Sequence, residues 1–317
     1  MLTMFNGIKN GWGLIKESIG VFGRHPKFLL PLLITWSIYA PIILYLQYGL
    51  NWDAYNTPQV YLIVFGVIFI FAFLLAFSCS VLLELIQHLE RGEKMDVIKA
   101  FGHTVTQNTI KIFPIVIVWT VIWFILLIIQ ALLSEKKGEK DDTQSFTAEN
   151  ATKTLAGDGK FSFSAAFFNA LEKGVRMVIF LILPAIAWEN LGFTKAVKKG
   201  LSVFRANLTE FSTGFVLTSL VQVVLFIPPA ILLYFTGELN IMLPDYIWYV
   251  TIVYIAFAWS FTIYLEQMFT AYLYMWHMKW EKEANKARRE NKRIPSLREI
   301  SRPSVLDEVN DLMVKVA

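Results

Sequence analysis

The chain has 317 residues, with 29 Lys and Arg against 25 Asp and Glu and a net charge of +4. Hydrophobic residues make up 56% and charged residues only 17%, where soluble domains carry roughly 25% charged residues, so an ordinary water-soluble domain is excluded. The small positive excess gives no basis for nucleic-acid binding, and the single cysteine excludes an internal disulfide.

Residues 1–27 are interrupted by Lys9, Lys16, Arg24 and Lys27 before any long apolar run, so the first apolar segment is expected to remain as a span and not to be a cleaved leader. Six segments approach or exceed the roughly 20 apolar residues needed to cross a bilayer: 28–48, 60–83, 112–133, 175–188, 213–236 and 246–265. Cys79 falls inside the second and reads as a small core residue. The fourth is short, but the apolar residues 161–171 extend the same helix. Residues 135–160, rich in Gly, Ser, Thr and charge, form the expected flexible outer loop, with a glycosylation sequon at Asn150-Ala151-Thr152. The chain is therefore expected to be an all-α membrane protein with a transmembrane domain over 1–280 and a tail over 281–317. In the tail, 281–293 is a basic stalk suited to anionic lipid headgroups. Beyond Pro303, Val305, Leu306, Val309, Leu312 and Met313 form the apolar stripe of a short docking helix. Its expected cover is the bundle's own inner face, a second copy or a protein partner.

Lys and Arg are retained on the cytoplasmic side of short loops. They gather before the first span, in the second-to-third connection (Arg91, Lys94, Lys99, Lys111) and in the fourth-to-fifth (Lys195, Lys198, Lys199, Arg205). Segments 49–58 and 237–245 carry none. Both termini are expected in the cytoplasm, in a plasma or inner membrane.

The chain also resembles itself. Ala76-Phe77-Ser78-Cys79-Ser80-Val81-Leu82-Leu83-Glu84 parallels Ala258-Trp259-Ser260-Phe261-Thr262-Ile263-Tyr264-Leu265-Glu266, and Ala185-Ile186-Ala187-Trp188-Glu189 places a third carboxylate in register. Each odd-numbered span follows a short segment with a shared start: Ile8-Lys9-Asn10-Gly11, Ile98-Lys99-Ala100-Phe101 and Val197-Lys198-Lys199-Gly200. Helical spacing of Ile8, Trp12, Ile15, Ile19 and Phe22 suits a helix lying in the membrane interface. The expected architecture is three hairpin repeats of one orientation (about 5–92, 93–190 and 191–280), each preceded by an interfacial amphipathic helix, about an axis along the membrane normal.

Two stretches point outward from the chain. The first is Asn10-Gly11-Trp12-Gly13-Leu14-Ile15-Lys16 with Ser18, followed by His25-Pro26-Lys27-Phe28-Leu29-Leu30-Pro31-Leu32. The second is Leu183-Pro184-Ala185-Ile186-Ala187-Trp188-Glu189-Asn190-Leu191-Gly192 with Ala196, Lys198 and Lys199. In these the chain resembles a group of uncharacterised prokaryotic six-helix membrane proteins. The resemblance covers most of residues 5–210 and implies architecture alone, because the group has no assigned activity.

Ionisable groups at membrane depth raise a functional hypothesis by default. Glu84, Glu189 and Glu266 are the candidate carboxylates, expected either to pair with cations of neighbouring interfacial helices or to form a ring that selects cations or relays protons. Lys173 and Arg176 are expected near the outer boundary, snorkelling to headgroups or forming a cationic vestibule. Pro41, Pro114, Pro184, Pro228 and Pro229 are expected to kink their helices. His25, His88, His103 and His277 lack metal-ligand spacing, and no nucleotide or nucleophile motif is present. Neither enzyme chemistry, a metal nor a cofactor is therefore expected. The leading expectation is a passive permeation pathway or transporter for ions or small solutes. The alternative is a non-transporting scaffold or lipid-organising protein that docks a partner through its tail.

Overall fold

A computed structural model of the chain describes residues 2–94, 96–136, 163–237 and 244–302. The docking stripe Val305, Leu306, Val309, Leu312 and Met313 and most of the outer loop lie outside the described residues. Helix α1 spans Leu2–Arg24. A 3-10 turn, Pro26–Leu29, leads into α2 (Leu30–Leu44), which runs into a π-turn at Tyr45–Gly49. Helix α3 (Thr57–Glu90) opens on a reciprocal cap in which Asn56 and Gln59 satisfy each other's backbone N–H groups. Asp96 caps α4 (Val97–His103), which passes through a second π-turn, Thr104–Asn108, into α5 (Thr109–Lys136). Then follow α6 (Phe163–Ala187), α7 (Phe193–Ala206), α8 (Leu208–Gly237) and α9 (Asp245–Arg289). No strand occurs among the described residues.

Five of these stretches are long and apolar enough to cross a membrane: Pro26–Gly49, Thr57–Glu90, Val97–Leu132, Leu208–Thr236 and Tyr246–Arg289. Helix α6 has the length, about 37 Å at 1.5 Å per residue, but Glu172, Lys173 and Arg176 lower its apolarity. Its C-terminus closes on Asn190 at φ 56°, with the Leu191 N–H donating to the Ala185 carbonyl at 3.0 Å. Asn tolerates this left-handed position, and the bond covers a carbonyl that the helix end would leave bare. Pro184 lies inside α6, Pro41 inside α2, Pro114 inside α5, and Pro228 and Pro229 inside α8. Each helix continues through its prolines.

The connections place Arg24, Arg91, Lys99, Lys111 and Lys198 at one end of the bundle, here called the basic end. Helices α3, α6 and α9 run toward it and form the centre: every residue is buried over 78–87, 179–187 and 260–277. Helices α2, α5 and α8 run away from it and form the periphery, exposing Ile34, Leu44, Ile110, Val118, Leu220 and Val223. Such a continuous apolar exterior is unfavourable in water and stable in hydrocarbon. Helix α1 does not simply lie on the surface. Leu14, Ile15, Ser18 and Val21 are fully buried against α8 and α9, while Trp12 and Ile19 of the expected interfacial face stay exposed. Gly11 permits the close approach to α8, since a Cβ there would meet Thr213 at 2.7 Å.

Candidate functional site

The three carboxylates singled out by sequence occupy three separate environments, and no described partner is shared among them. Glu266 lies at the centre. Its helix does not end there, as the repeat suggests, but runs on to Arg289. The carboxylate is fully buried and receives Arg176 in a two-point contact, Nε to Oε2 at 2.9 Å and Nη2 to Oε1 at 3.1 Å. Lys173 Nζ stands 3.2 Å from Oε1. Lys173 and Arg176 are thus not placed at an outer boundary facing headgroups. They sit near the middle of α6 and face the bundle interior, the Lys173 side chain being only 7% exposed.

Each member of this group is held by a neighbour. Lys173 also donates to Ser219 Oγ on α8 at 2.8 Å and lies 5.4 Å from the centroid of the Phe215 ring, where the π face stabilises a cation. Arg176 reaches Glu172 one turn back at 3.6 Å. Beside Glu266, Gln267 donates to the Phe180 carbonyl of α6 at 3.3 Å. The group contains two cations and two carboxylates, so its formal charges cancel. Mutual attraction in a low-dielectric interior is large, but it mainly offsets the cost of removing these charges from water. The pairing therefore dictates which faces of α6, α8 and α9 meet more than it adds net stability.

Glu84 is buried nearer the basic end, where Asn108 donates to it at 2.9 Å and His103 Nδ1 lies 3.0 Å away. Helix α3 continues past it to Glu90. Glu189 follows the end of α6; it accepts from the Tyr274 hydroxyl, and Lys199 of α7 lies 3.9 Å away while also bonding Glu281. Two of the three carboxylates thus meet residues of the short connecting helices and turns, and Glu266 alone meets cations of a long helix. Ser80 and Thr262, equivalent in the sequence repeat, both donate back to the carbonyl four residues earlier, Ala76 at 3.0 Å and Ala258 at 2.9 Å.

Around these groups the centre is filled by large side chains. Trp119, Trp276, Tyr264, Tyr272, Tyr274, Phe180 and Phe269 are all fully buried. Tyr39 stacks on Phe71 at 4.2 Å and donates to its carbonyl, and Thr35 shares a hydrogen bond with Ser78. Sequence reasoning did not single out Asn108, Tyr274 or Phe215 as partners, because a lone polar or aromatic residue in an apolar run carries no signal of what it will face. His103 stood out only as an isolated histidine, and Ser219 as one more polar residue within an apolar span. Compared with protein-family profiles, curated proteins and solved structures, the chain matches none.

Proposed function

We propose that this chain is a non-conducting, multi-pass membrane protein that acts as a scaffold or lipid-organising element, with both termini in the cytoplasm. The observation that carries the reading is the cancellation of charge at the centre: Lys173 and Arg176 face Glu266 and Glu172, in place of a carboxylate ring with a net field. A selective pathway needs a field of one sign or exposed dipoles along a pore, and here the bundle interior buries many large aromatic side chains. The short helices ahead of α5 and α8 support three repeated hairpins of one orientation. The clustering of Lys and Arg supports cytoplasmic termini. A tail that docks a partner or a second copy belongs to the same proposal.

A second reading, a permeation or transport protein for ions or small solutes, draws on the same residues. Ionisable groups buried among membrane-spanning helices are commonly proton relays or coupling sites, and Lys173 bridges α6, α8 and α9. Ion flux in proteoliposomes separates the two. The scaffold reading expects no flux of K⁺, Na⁺, Cl⁻ or H⁺ above protein-free vesicles, for the unaltered chain and for Glu266→Gln alike. Flux that is lost or changes selectivity in Glu266→Gln would establish the second reading.

A further inference from the structure

We infer that the crevice between α5 and α8 is a binding site for one acyl chain of an anionic glycerophospholipid, whose phosphate is held by Lys198 and Arg205 at the rim. The inference deepens the lipid-organising reading and rests on it. Helix α5 packs on α3 and α6, and α8 packs on α1 and α9. The two do not close on each other, and α6 forms the back of the gap that remains. The gap measures about 560 Å³ and its lining is wholly apolar, from Ile115 and Val118 on α5 through Gly174 and Val178 on α6 to Phe211 and Phe215 on α8. That volume falls in the range of roughly 300–1,000 Å³ usual for small-ligand sites.

Two dimensions point to a hydrocarbon chain. The lining on α6 runs from Ala170 to Ile182, a rise of about 18 Å along the helix, against about 15 Å of hydrocarbon in one leaflet. Val118 and Leu171 line the crevice and are themselves 46% and 40% exposed, so it opens on the apolar exterior that lipid covers. With apolar walls it offers no hydrogen bond to water, and an apolar cavity of this kind stays dry and takes apolar guests.

The headgroup chemistry comes from α7, which lies at the basic end of the crevice. Phe193, Val197 and Phe204 of this helix line it. Lys198 and Arg205 each follow a lining residue in sequence and lie seven residues apart, so they share a stripe about 100° around the helix from Val197 and Phe204. Both are exposed, and neither has a carboxylate partner among the described residues. Lys199, by contrast, is occupied by Glu281 and Glu189. Free cations beside the mouth of an apolar crevice favour an anionic over a zwitterionic headgroup.

Gly174 supplies the test. A Cβ at this position meets no heavy atom within 4 Å and Gly174 lines the crevice, so Gly174→Leu places its side chain there from an unobstructed Cβ and replaces a poor helix former with a good one. The full chain, reconstituted in phosphatidylcholine vesicles, is photolabelled with phosphatidylglycerol or phosphatidylcholine carrying a diazirine in the acyl chain, and the adducts are mapped. The expected result is labelling concentrated on residues 170–182 of the unaltered chain, with phosphatidylglycerol favoured by about tenfold. In Gly174→Leu that labelling is lost while adducts on the outer faces of α2 and α8 persist. In the double variant Lys198→Gln, Arg205→Gln the acyl adducts stay in the crevice and the headgroup preference disappears. Adducts spread evenly over all exposed faces of the unaltered chain, meaning annular lipid only, would overturn the site without any variant needing to fold. Crevice adducts with no headgroup preference would overturn the role of Lys198 and Arg205. Ion flux is a separate readout, so an empty crevice leaves the non-conducting reading standing, and flux refutes that reading without emptying the crevice.

Discussion

The two halves of α9 have opposite surroundings. Over 246–257 the helix is apolar and aromatic except for Thr251, yet Tyr246, Tyr249, Val250, Ile252 and Val253 are exposed. Over 260–277 it carries Ser260, Thr262, Glu266, Gln267, Thr270 and His277, and every residue is buried. In a bilayer the exterior is as apolar as any core, so hydrophobicity finds a span without telling its inside from its outside. Polar and small residues mark the interior, because there they find partners and let helices approach.

The contrast is broken most severely by removing a polar group from the buried half. Glu266→Gln leaves Lys173 and Arg176 without their shared carboxylate, and the loss should be about 3–5 kcal/mol, read as a shift in unfolding by detergent titration. Replacing the whole group with uncharged residues, Glu266→Leu with Lys173→Met, Arg176→Met and, because Arg176 also pairs with Glu172, Glu172→Gln, should restore most of that stability, since a matched apolar packing often equals a buried ion pair.

A steric change sharpens the same contrast. Phe269 of the buried half fills the space where a Cβ on Gly214 would stand, so Gly214→Ala should cost about 1–3 kcal/mol through overpacking. Gly66, toward the other end of α3, has open space around it, and Gly66→Ala should instead stabilise by up to about 1 kcal/mol. Smaller still is the loss of one interhelical hydrogen bond: Ser78→Ala removes the link to Thr35 and should cost about 0.6 kcal/mol. On the exposed face, Val253→Leu should stay within about 0.5 kcal/mol of the unaltered chain.

Hydropathy identified the long apolar helices, since a run of some 20 apolar residues needs no knowledge of its neighbours. It placed their ends too early. Helices α3 and α9 continue past Glu84 and Glu266 into their most polar buried stretches, where an apolar count stops but the packed core does not. The carboxylates themselves stood out because charge is costly in an apolar run. Their partners did not, because pairing Glu266 with Lys173 and Arg176 depends on how α6 lies against α9. The apolar residues 161–171 correctly extended α6 upstream, but which way Lys173 and Arg176 face depends on the carboxylate of another helix. The crevice left no trace in the sequence: its lining residues are ordinary apolar residues from four helices, and the gap exists only because α5 and α8 pack elsewhere.

The central claim, that the charged centre is sealed from water, is tested most directly at Cys79, the chain's only cysteine, fully buried in that core. The unaltered protein in vesicles is exposed on both sides to a small, charged methanethiosulfonate reagent, and modification is followed by mass. The account predicts that Cys79 stays unmodified while the protein is folded and reacts fully once it is unfolded in dodecyl sulfate. Modification in the folded, membrane-embedded state would show that water reaches the centre, and would contradict the account.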